Sequence, residues 1–528
     1  MITVRKLLFA IIFLSLVSAG CAFGSAANVY ITQNGSPTGS CTSNVQTPAF
    51  VTTAGNWGSG SSQIGPGTTV LFCGTFNLSV GSSLASFLGS GNSTSPVTFK
   101  LDSNAIIQSP AMGSDSAGAF NCNGKSYVTV DGDGTGTIEN TANGTGLANA
   151  RSSSGLYFSN CTNAVVNGLV IKNIYLNQEN NSSGSGQYTA DIACGGVTTT
   201  GSTCTGMQIY NNTLNNARAG ININFDSGND ASKVAIYNNT ISDHAWGITF
   251  AADNASSTAS GVIIHDNNIN SFLNWTDNVA TYHTDGLILY NDVNAKSYDT
   301  YQIYNNHFSG SLGKYSATGY IACGRMSTCT IFNNVMVDTG STPAYGYIWL
   351  YTPNGPDSVY NNTLVASSGG GFGVTLGDDA GLGGGTTSNL TVKDNIFINV
   401  TVGIHDYRSL TTDVAASDNN VWRTPSGDAP QFATNDGSEF SYATWQKDGF
   451  DLNSTTSDPL LASNYVPQSG SSAIGLGANL TPLNVPPLDV DMAGNPRPAS
   501  GGVSWVSGAF NNTSGGLAPP TGLVAVVK

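Results

Sequence analysis

MQIYNNTL (207–214), VAIYNNTI (234–241), VIIHDNNI (262–269), YQIYNNHF (301–308), TIFNNVM (330–336), SVYNNTL (358–364) and TVKDNIF (391–397) are one phrase met seven times. Its second asparagines, at 212, 239, 267, 306, 334, 362 and 395, are spaced by 27, 28, 39, 28, 28 and 33 residues. A second phrase, glycine followed by alternating apolar residues, interleaves with the first. It reads AGINI at Gly220, WGITF at Gly247, DGLIL at Gly286, TGYIA at Gly319, YGYIW at Gly346, FGVTL at Gly373 and VGIHD at Gly403. These glycines step by 27, 39, 33, 27, 27 and 30. Two independent phrases holding one period define a repeating structural unit.

Alternation of apolar and polar residues is the strand period, because successive side chains point to opposite faces. A fixed period of ~20–50 residues signals stacked repeats. A unit of 27 residues is too short for a propeller blade and carries no helical pattern. It fits one coil of an all-β, single-stranded right-handed parallel β-helix, in which short strands separated by turns pair with the next coil. Irregular hairpins of a β-sandwich would not hold one register across seven units. Asparagine tolerates left-handed backbone and bonds its neighbours, so the repeated Asn is expected to stack as a hydrogen-bonded ladder at one turn. One and three residues past the glycine, Ile221/Ile223, Ile248/Phe250, Leu287/Leu289, Tyr347/Trp349 and Val374/Leu376 are expected to fill the core. The same count turns Ile288, Ile321 and Ile348 outward. The insertion at 270–283, with Phe272, Leu273 and Trp275, is then expected to cover them and wall a groove.

Composition bounds the function. Only 9% of the 528 residues are charged, with 64 glycines, which suits turn-rich extracellular β structure. A net charge of −15 argues against nucleic acid as a partner and makes a polyanionic substrate awkward unless a cation offsets the repulsion. Arg5 and Lys6 before the apolar run Leu7–Val17 read as a secretory leader, too short to span a membrane. Cleavage after Ala26 is expected; lipidation of Cys21 is the alternative, although Ser18 stands where that pattern calls for Leu, Val or Ile. Eight of the nine cysteines then remain, an even count that fits an oxidising compartment. The echo of IAC and STC at 192–194/202–204 and 321–323/327–329 pairs Cys194 with Cys204 and Cys323 with Cys329. Cys122 and Cys161 occupy matching phrases one coil apart, which leaves Cys41 for Cys73.

The expected organisation is a leader (1–26), an N-terminal cap with the first coils (27–96), the β-helix (97–421), a C-terminal closing segment (422–512), and a linker with a terminal strand (513–528). The Ser/Gly/Asn-rich stretch 177–188 reads as an excursion, and Phe440–Asp451 as a short helix. The repeated IYNN and GIxI phrases resemble the right-handed parallel β-helix proteins of the pectate-lyase-like superfamily. SGSSAIGLGANL…DMAGNPRP is similar to the closing segment of secreted bacterial members. That superfamily includes polysaccharide lyases, glycoside hydrolases, epimerases and adhesins, so the resemblance implies a fold and not one activity.

Equivalent positions of adjacent coils lie ~4.8 Å apart, so chemistry is sought in columns. Six residues past each glycine stand Asp226, Asp253, Asp292, Arg325, Thr352, Asp379 and Ser409, five of the seven charged. Any one such Asp reads as a turn residue capping backbone N–H groups. Asp253, Asp292 and Arg325 together place two repelling carboxylates beside a cation, an arrangement suited to acid–base cleavage of a glycoside. His244 and His283 fall three residues before neighbouring glycines. TDG at 284–286 resembles the NTDG motif of polygalacturonase-type hydrolases, which would make Asp285 catalytic; here His283 replaces the Asn, and that family's GHG and RIK motifs are missing. Arg325 and Arg408 are the candidate bases for a lyase. Asp378 and Asp379 are the candidate metal ligands, Ca²⁺ being the one cofactor considered, though a solvated Gly-rich turn explains them equally. Trp246, Tyr290, Tyr351 and Tyr407 are candidate sugar platforms, and Trp349 counts as core. The reading is a secreted β-helix protein that binds and cleaves an extracellular polysaccharide. The alternative is a non-catalytic surface adhesin or fibre subunit.

Overall fold

The computed structural model describes residues 25–177, 188–196, 201–273, 284–292, 294–295, 297–312, 317–341, 344, 346–351, 355–377, 389–407, 410–434, 439–499 and 504–511. Residues 1–24, 178–187, 274–283 and 512–528, on which the expected leader, excursion, insertion and terminal linker fall, lie outside these residues.

The chain is a single-stranded right-handed parallel β-helix. A coil contributes three strands, for example Ala235–Tyr237, Thr240–Ser242 and Trp246–Ala251. Among the described residues the first two rows form one sheet of 24 strands and the third a sheet of 13. Pairing is parallel and column-wise: Ile209, Ile236, Ile264, Ile303, Ile331, Val359 and Val392 follow one another from coil to coil. All seven are fully buried, so the alternation seen in the sequence is the packing of one continuous core. Coil pairing begins before residue 97: Asn28–Ile31 pairs with Thr69–Phe72, which pairs with Val97–Leu101. The helix Pro48–Thr52 and Trp57, whose indole N–H donates to Val51 O at 2.8 Å, cover that end of the core.

The asparagine ladder has eight rungs, at 212, 239, 267, 306, 334, 362, 395 and 420. At Asn306, as at the other interior rungs, backbone N–H and Nδ2 both donate to the Oδ1 of the next rung, at 2.9 and 3.0 Å. The first residue of each pair makes the corner in left-handed backbone, with φ near +55° at Asn211, Asn238, Asp266, Asn305 and Asn333. The short polar side chains of Asn and Asp tolerate that conformation. The four expected disulfides are present, Cys41–Cys73, Cys122–Cys161, Cys194–Cys204 and Cys323–Cys329.

The glycine phrase slips by one residue in two coils. A register shift follows Thr284, Asp285 then stands opposite Gly319, and Leu287 stands opposite Ile321 and, through it, Ile348. Ile321 and Ile348 therefore point inward and are fully buried, while Trp349 lies on the outer face, half-buried. The expectation of three outward isoleucines beneath the insertion is thus corrected: only Ile288 faces out. Phe272 packs instead beside Tyr320, 5.6 Å between ring centres. The inward places next to Gly319 and Gly346 go to Tyr320 and Tyr347, whose hydroxyls donate to Val337 O at 2.8 Å and Asp338 Oδ2 at 2.8 Å.

At the far end Ser441 caps the helix Tyr442–Lys447, and Trp445 stacks between Phe432 and Phe450 to close the core. The rest of the C-terminal segment turns back along the flank. There the corner side chains hold it: Asn361 Nδ2 donates to Val506 O (3.2 Å), Asn419 Nδ2 to Leu476 O (2.8 Å), and Asp394 Oδ1 accepts from Ala478 N–H (2.9 Å). Leu480, Leu488 and Trp505 cover the outward rings of Phe332 and Tyr360. Among the described residues no helix is long and apolar enough to cross a membrane.

Candidate active site

The outer face of the 13-strand sheet carries the site. Along it the outward column Ala193–Asn222–Thr249–Ile288 runs beside the column Asn224–Ala251–Tyr290. Side chains are small over the coils of Asn222 and Thr249 and large one coil on, so Ile288 and Tyr290 rise as a ledge above a floor. Trp246 bounds one side and Asp226 and Asp253 the other, around a groove of about 250 Å³. That is just below the ~300 Å³ where drug-sized pockets begin. It has room for a ring or two of a longer ligand lying on open sheet.

Each wall is held. The Arg218 guanidinium lies 3.8 Å from the centre of the Trp246 ring, a cation–π contact made by a buried arginine and worth about 2 kcal/mol. Arg325 Nη1 donates to Asp253 Oδ1 at 2.7 Å, and its guanidinium lies 5.1 Å from the Tyr290 ring centre. Burial, then the Asp253 carboxylate, push the Tyr290 phenol up to about 12, so it stays neutral at any physiological pH. Asp253 N–H reaches Asp226 Oδ1 at 3.3 Å, which ties the two carboxylate-bearing turns together. Asn224 is spent on the scaffold, with Nδ2 on Gly196 O (3.0 Å) and Oδ1 on Asp226 N–H (3.1 Å). Asn222 Oδ1 accepts the Thr249 hydroxyl at 2.7 Å.

Asp253, Trp246, Tyr290 and Arg325 thus come together, and Asp226 joins them. Arg325 is not in the register the counting gave it: Gly324 pairs with Tyr290, so Arg325 follows beside Asn291, whose N–H donates to Arg325 O at 2.9 Å. It still reaches Asp253 because the Cys323–Cys329 bridge closes its turn, in which Arg325 and Met326 both have positive φ. Tyr351 stands two coils beyond the Tyr290 ledge, its backbone carbonyl and ring against Gly324. Asp292 is half-buried and caps its own turn, Oδ1 accepting Asn294 N–H at 2.7 Å. Asp285 is fully buried in register with Trp246, and is not part of the groove lining. His283, Arg408, Asp378 and Asp379 lie outside the described residues.

His244 is not on the surface. Its Nε2 meets Asp191 Oδ2 at 2.7 Å, the two side chains 2% and 0% exposed. Burial pushes the Asp191 carboxyl up to about 6, against the opposing pull of His244. Asp191 stands where the neighbouring coils have Gly155 and Gly220, and the contact crosses the Gly220 coil. A Cβ at Gly220 would lie 2.5 Å from Ile241 Cγ2 and 3.7 Å from His244 Cε1. Sequence reasoning missed Asp191, although ADIAC (190–194) is the glycine phrase with Asp in the glycine's place. It also missed Arg218 and Asn222.

No family model matches the chain, and no curated protein matches it. Solved structures do. Pectate lyase Pel9A is similar over 92% of this chain and 97% of its own at 12% identity, TM-score 0.41. An alginate lyase from Paenibacillus sp. str. FPU-7 is similar over 59% and 91% at 14% identity, TM-score 0.32. A hyperthermoactive exopolygalacturonase from Thermotoga maritima is similar over 64% and 81% at 11% identity, TM-score 0.36. The chain has a parallel β-helix fold. That statement rests on its own strand pairing and ladder; likeness at these identities and scores says nothing of activity.

Proposed function

We propose that this is a secreted protein that binds a polysaccharide in the groove between Trp246 and Tyr290 and hydrolyses it with Asp226 and Asp253. The observation that carries the proposal is the pair of carboxylates on adjacent coils beside an aromatic-walled groove. An indole and a phenol offer the faces on which sugar rings stack, and carboxylates accept hydrogen bonds from sugar hydroxyls. Hydrolysis needs one carboxyl to protonate the departing glycosidic oxygen and another to attack, or to take a proton from water, at the anomeric carbon. Adjacent coils step by ~4.8 Å, nearer the ~5–5.5 Å of retaining enzymes than the ~6.5–9.5 Å of inverting ones. Arg325 orients Asp253. Secretion is supported by the four disulfides, since such bonds persist in oxidising compartments.

The test is incubation of the protein from Ala27 with neutral and acidic polysaccharides, with and without Ca²⁺. New reducing ends of retained configuration are expected, reduced at least 100-fold in Asp226→Asn and Asp253→Asn. An ultraviolet-absorbing unsaturated product would replace hydrolysis with elimination. Binding without turnover would favour the adhesin.

A further inference from the structure

We infer that Asn222 selects the substrate, receiving a hydrogen-bond acceptor of an uncharged sugar, a hydroxyl oxygen or an acetamido carbonyl, at the groove floor. The inference rests on the proposed binding of a glycan in this groove and adds the class of sugar and the residue that reads it.

Asn222 is 1% exposed and lines the groove. Its Oδ1 is taken by the Thr249 hydroxyl on the next coil, which fixes the amide so that Nδ2 is its other end. That Nδ2 is buried and has no partner among the described residues. A buried donor left unmade is costly, so native proteins rarely keep one without a use. The fold does not demand asparagine there: the same column holds Ala193 one coil earlier and Ile288 two coils later. Asn224, two residues on, has both ends of its amide bonded within the protein and has no such free end. At the groove floor, then, one side chain offers only a donor, and it selects an acceptor.

The charge of the walls gives the rest. Asp226 and Asp253 face the groove, and the nearby Arg325 already bonds Asp253 at 2.7 Å. A uronate carboxylate on this floor would meet two like charges, with Arg325 engaged by Asp253 and Arg218 buried against the Trp246 ring, and like charges at such range repel. A neutral ring meets no such cost, and its hydroxyls can donate to the two carboxylates while one oxygen accepts from Asn222.

The experiment is calorimetric titration of wild type, Asn222→Asp and Asn222→Ala with hexamers of glucose, mannose, N-acetylglucosamine and galacturonate. Asn222→Asp keeps the acceptor for Thr249 and removes the donor. Asn222→Ala reproduces the side chain that column carries at Ala193, so it guards against a variant that fails to fold. At least one neutral hexamer is expected to bind wild type and to bind both variants at least 10-fold more weakly, with the thermal unfolding of Asn222→Ala unchanged. Galacturonate is expected not to bind. Equal affinity of wild type and both folded variants overturns the role of Asn222. Tighter binding of galacturonate than of any neutral hexamer overturns the sugar class. Binding of no hexamer at all overturns the glycan groove itself.

Discussion

Replacing Asn306 by Ala removes one interior rung of the ladder and is expected to destabilise the protein by about 4 kcal/mol. The figure follows from counting side-chain bonds at ~1 kcal/mol net each. Asn306 Nδ2 donates its two hydrogens among Ile264 O, Tyr304 O and Asn334 Oδ1, one of them shared, and Asn306 Oδ1 accepts from Asn267 N–H and Nδ2, which amounts to four bonds. The first rung, Asn212, makes three: Nδ2 to Val166 O and to Asn239 Oδ1, and Oδ1 from Leu169 N–H. Asn212→Ala should therefore cost about 3 kcal/mol by the same count. Asn306→Asp should be worse than Ala, because a carboxylate oxygen then faces three oxygens that need a donor. Urea unfolding followed by far-ultraviolet circular dichroism measures all three, with the slope compared to confirm that each variant unfolds as the parent does. If Asn306→Ala shifts stability by less than ~1 kcal/mol, or by no more than Asn212→Ala, the ladder is a consequence of the fold and not one of its supports.

Two further outcomes are expected. The Asp394 carboxyl, buried beneath the C-terminal segment, is pushed up from an ordinary value of 3.8 to about 7, burial outweighing Ala478 N–H and Arg497. The folded state then holds a proton the unfolded state has released, so this stability is full below pH 4, falls as pH rises, and is lost above about 7, a change of roughly 4 kcal/mol. Asp191 and Asp299, raised to about 6 and about 7, have the same sign. Limited proteolysis should cut the 457–511 segment more slowly at pH 5 than at pH 8, and Asp394→Asn should abolish the difference; cleavage that tracks only the protease's own pH profile would refute this. Gly220→Ala places a Cβ 2.5 Å from Ile241 and should cost about 1–3 kcal/mol by overpacking. Gly55→Ala, with nothing within 4 Å of its Cβ, is the control, and equal melting temperatures for the two would contradict the packing described at Gly220.

The fold was legible because a solenoid writes its period into the chain. The Asn of IYNN had to recur for the ladder, and Ile221, Ile248 and Leu287 had to recur for the core. The register was legible only as far as the backbone stays regular. After Thr284 the shift moves the phrase by one residue, and no count along the sequence could see that Ile321 and Ile348 go in while Trp349 comes out. Asp253 and Arg325 were found from a column and Trp246 and Tyr290 as aromatics near it, whereas Asp191 was hidden because its partner His244 is 53 residues away and two coils distant. Asn222 was passed over for a different reason. In a chain this rich in asparagine the residue type carries no signal, and only its unmatched donor sets it apart.

The groove itself follows from how columns change. A β-helix repeats its backbone, so a concavity on a sheet face arises where side-chain size steps between coils. At the coil of Trp246 one column grows, from Ala190 and Ala219 to an indole; at the next coil two others grow, from Thr249 to Ile288 and from Ala251 to Tyr290. These steps fall within two coils and enclose the floor on two sides. Toward the N-terminal coils the floor column is small at Ala193 and then rises again to the ring of Tyr157, so the floor lies between Tyr157 on one side and the Ile288–Tyr290 ledge on the other. Asp226 and Asp253 flank this short floor, so under the proposed function recognition and cleavage would fall on the same one or two sugars.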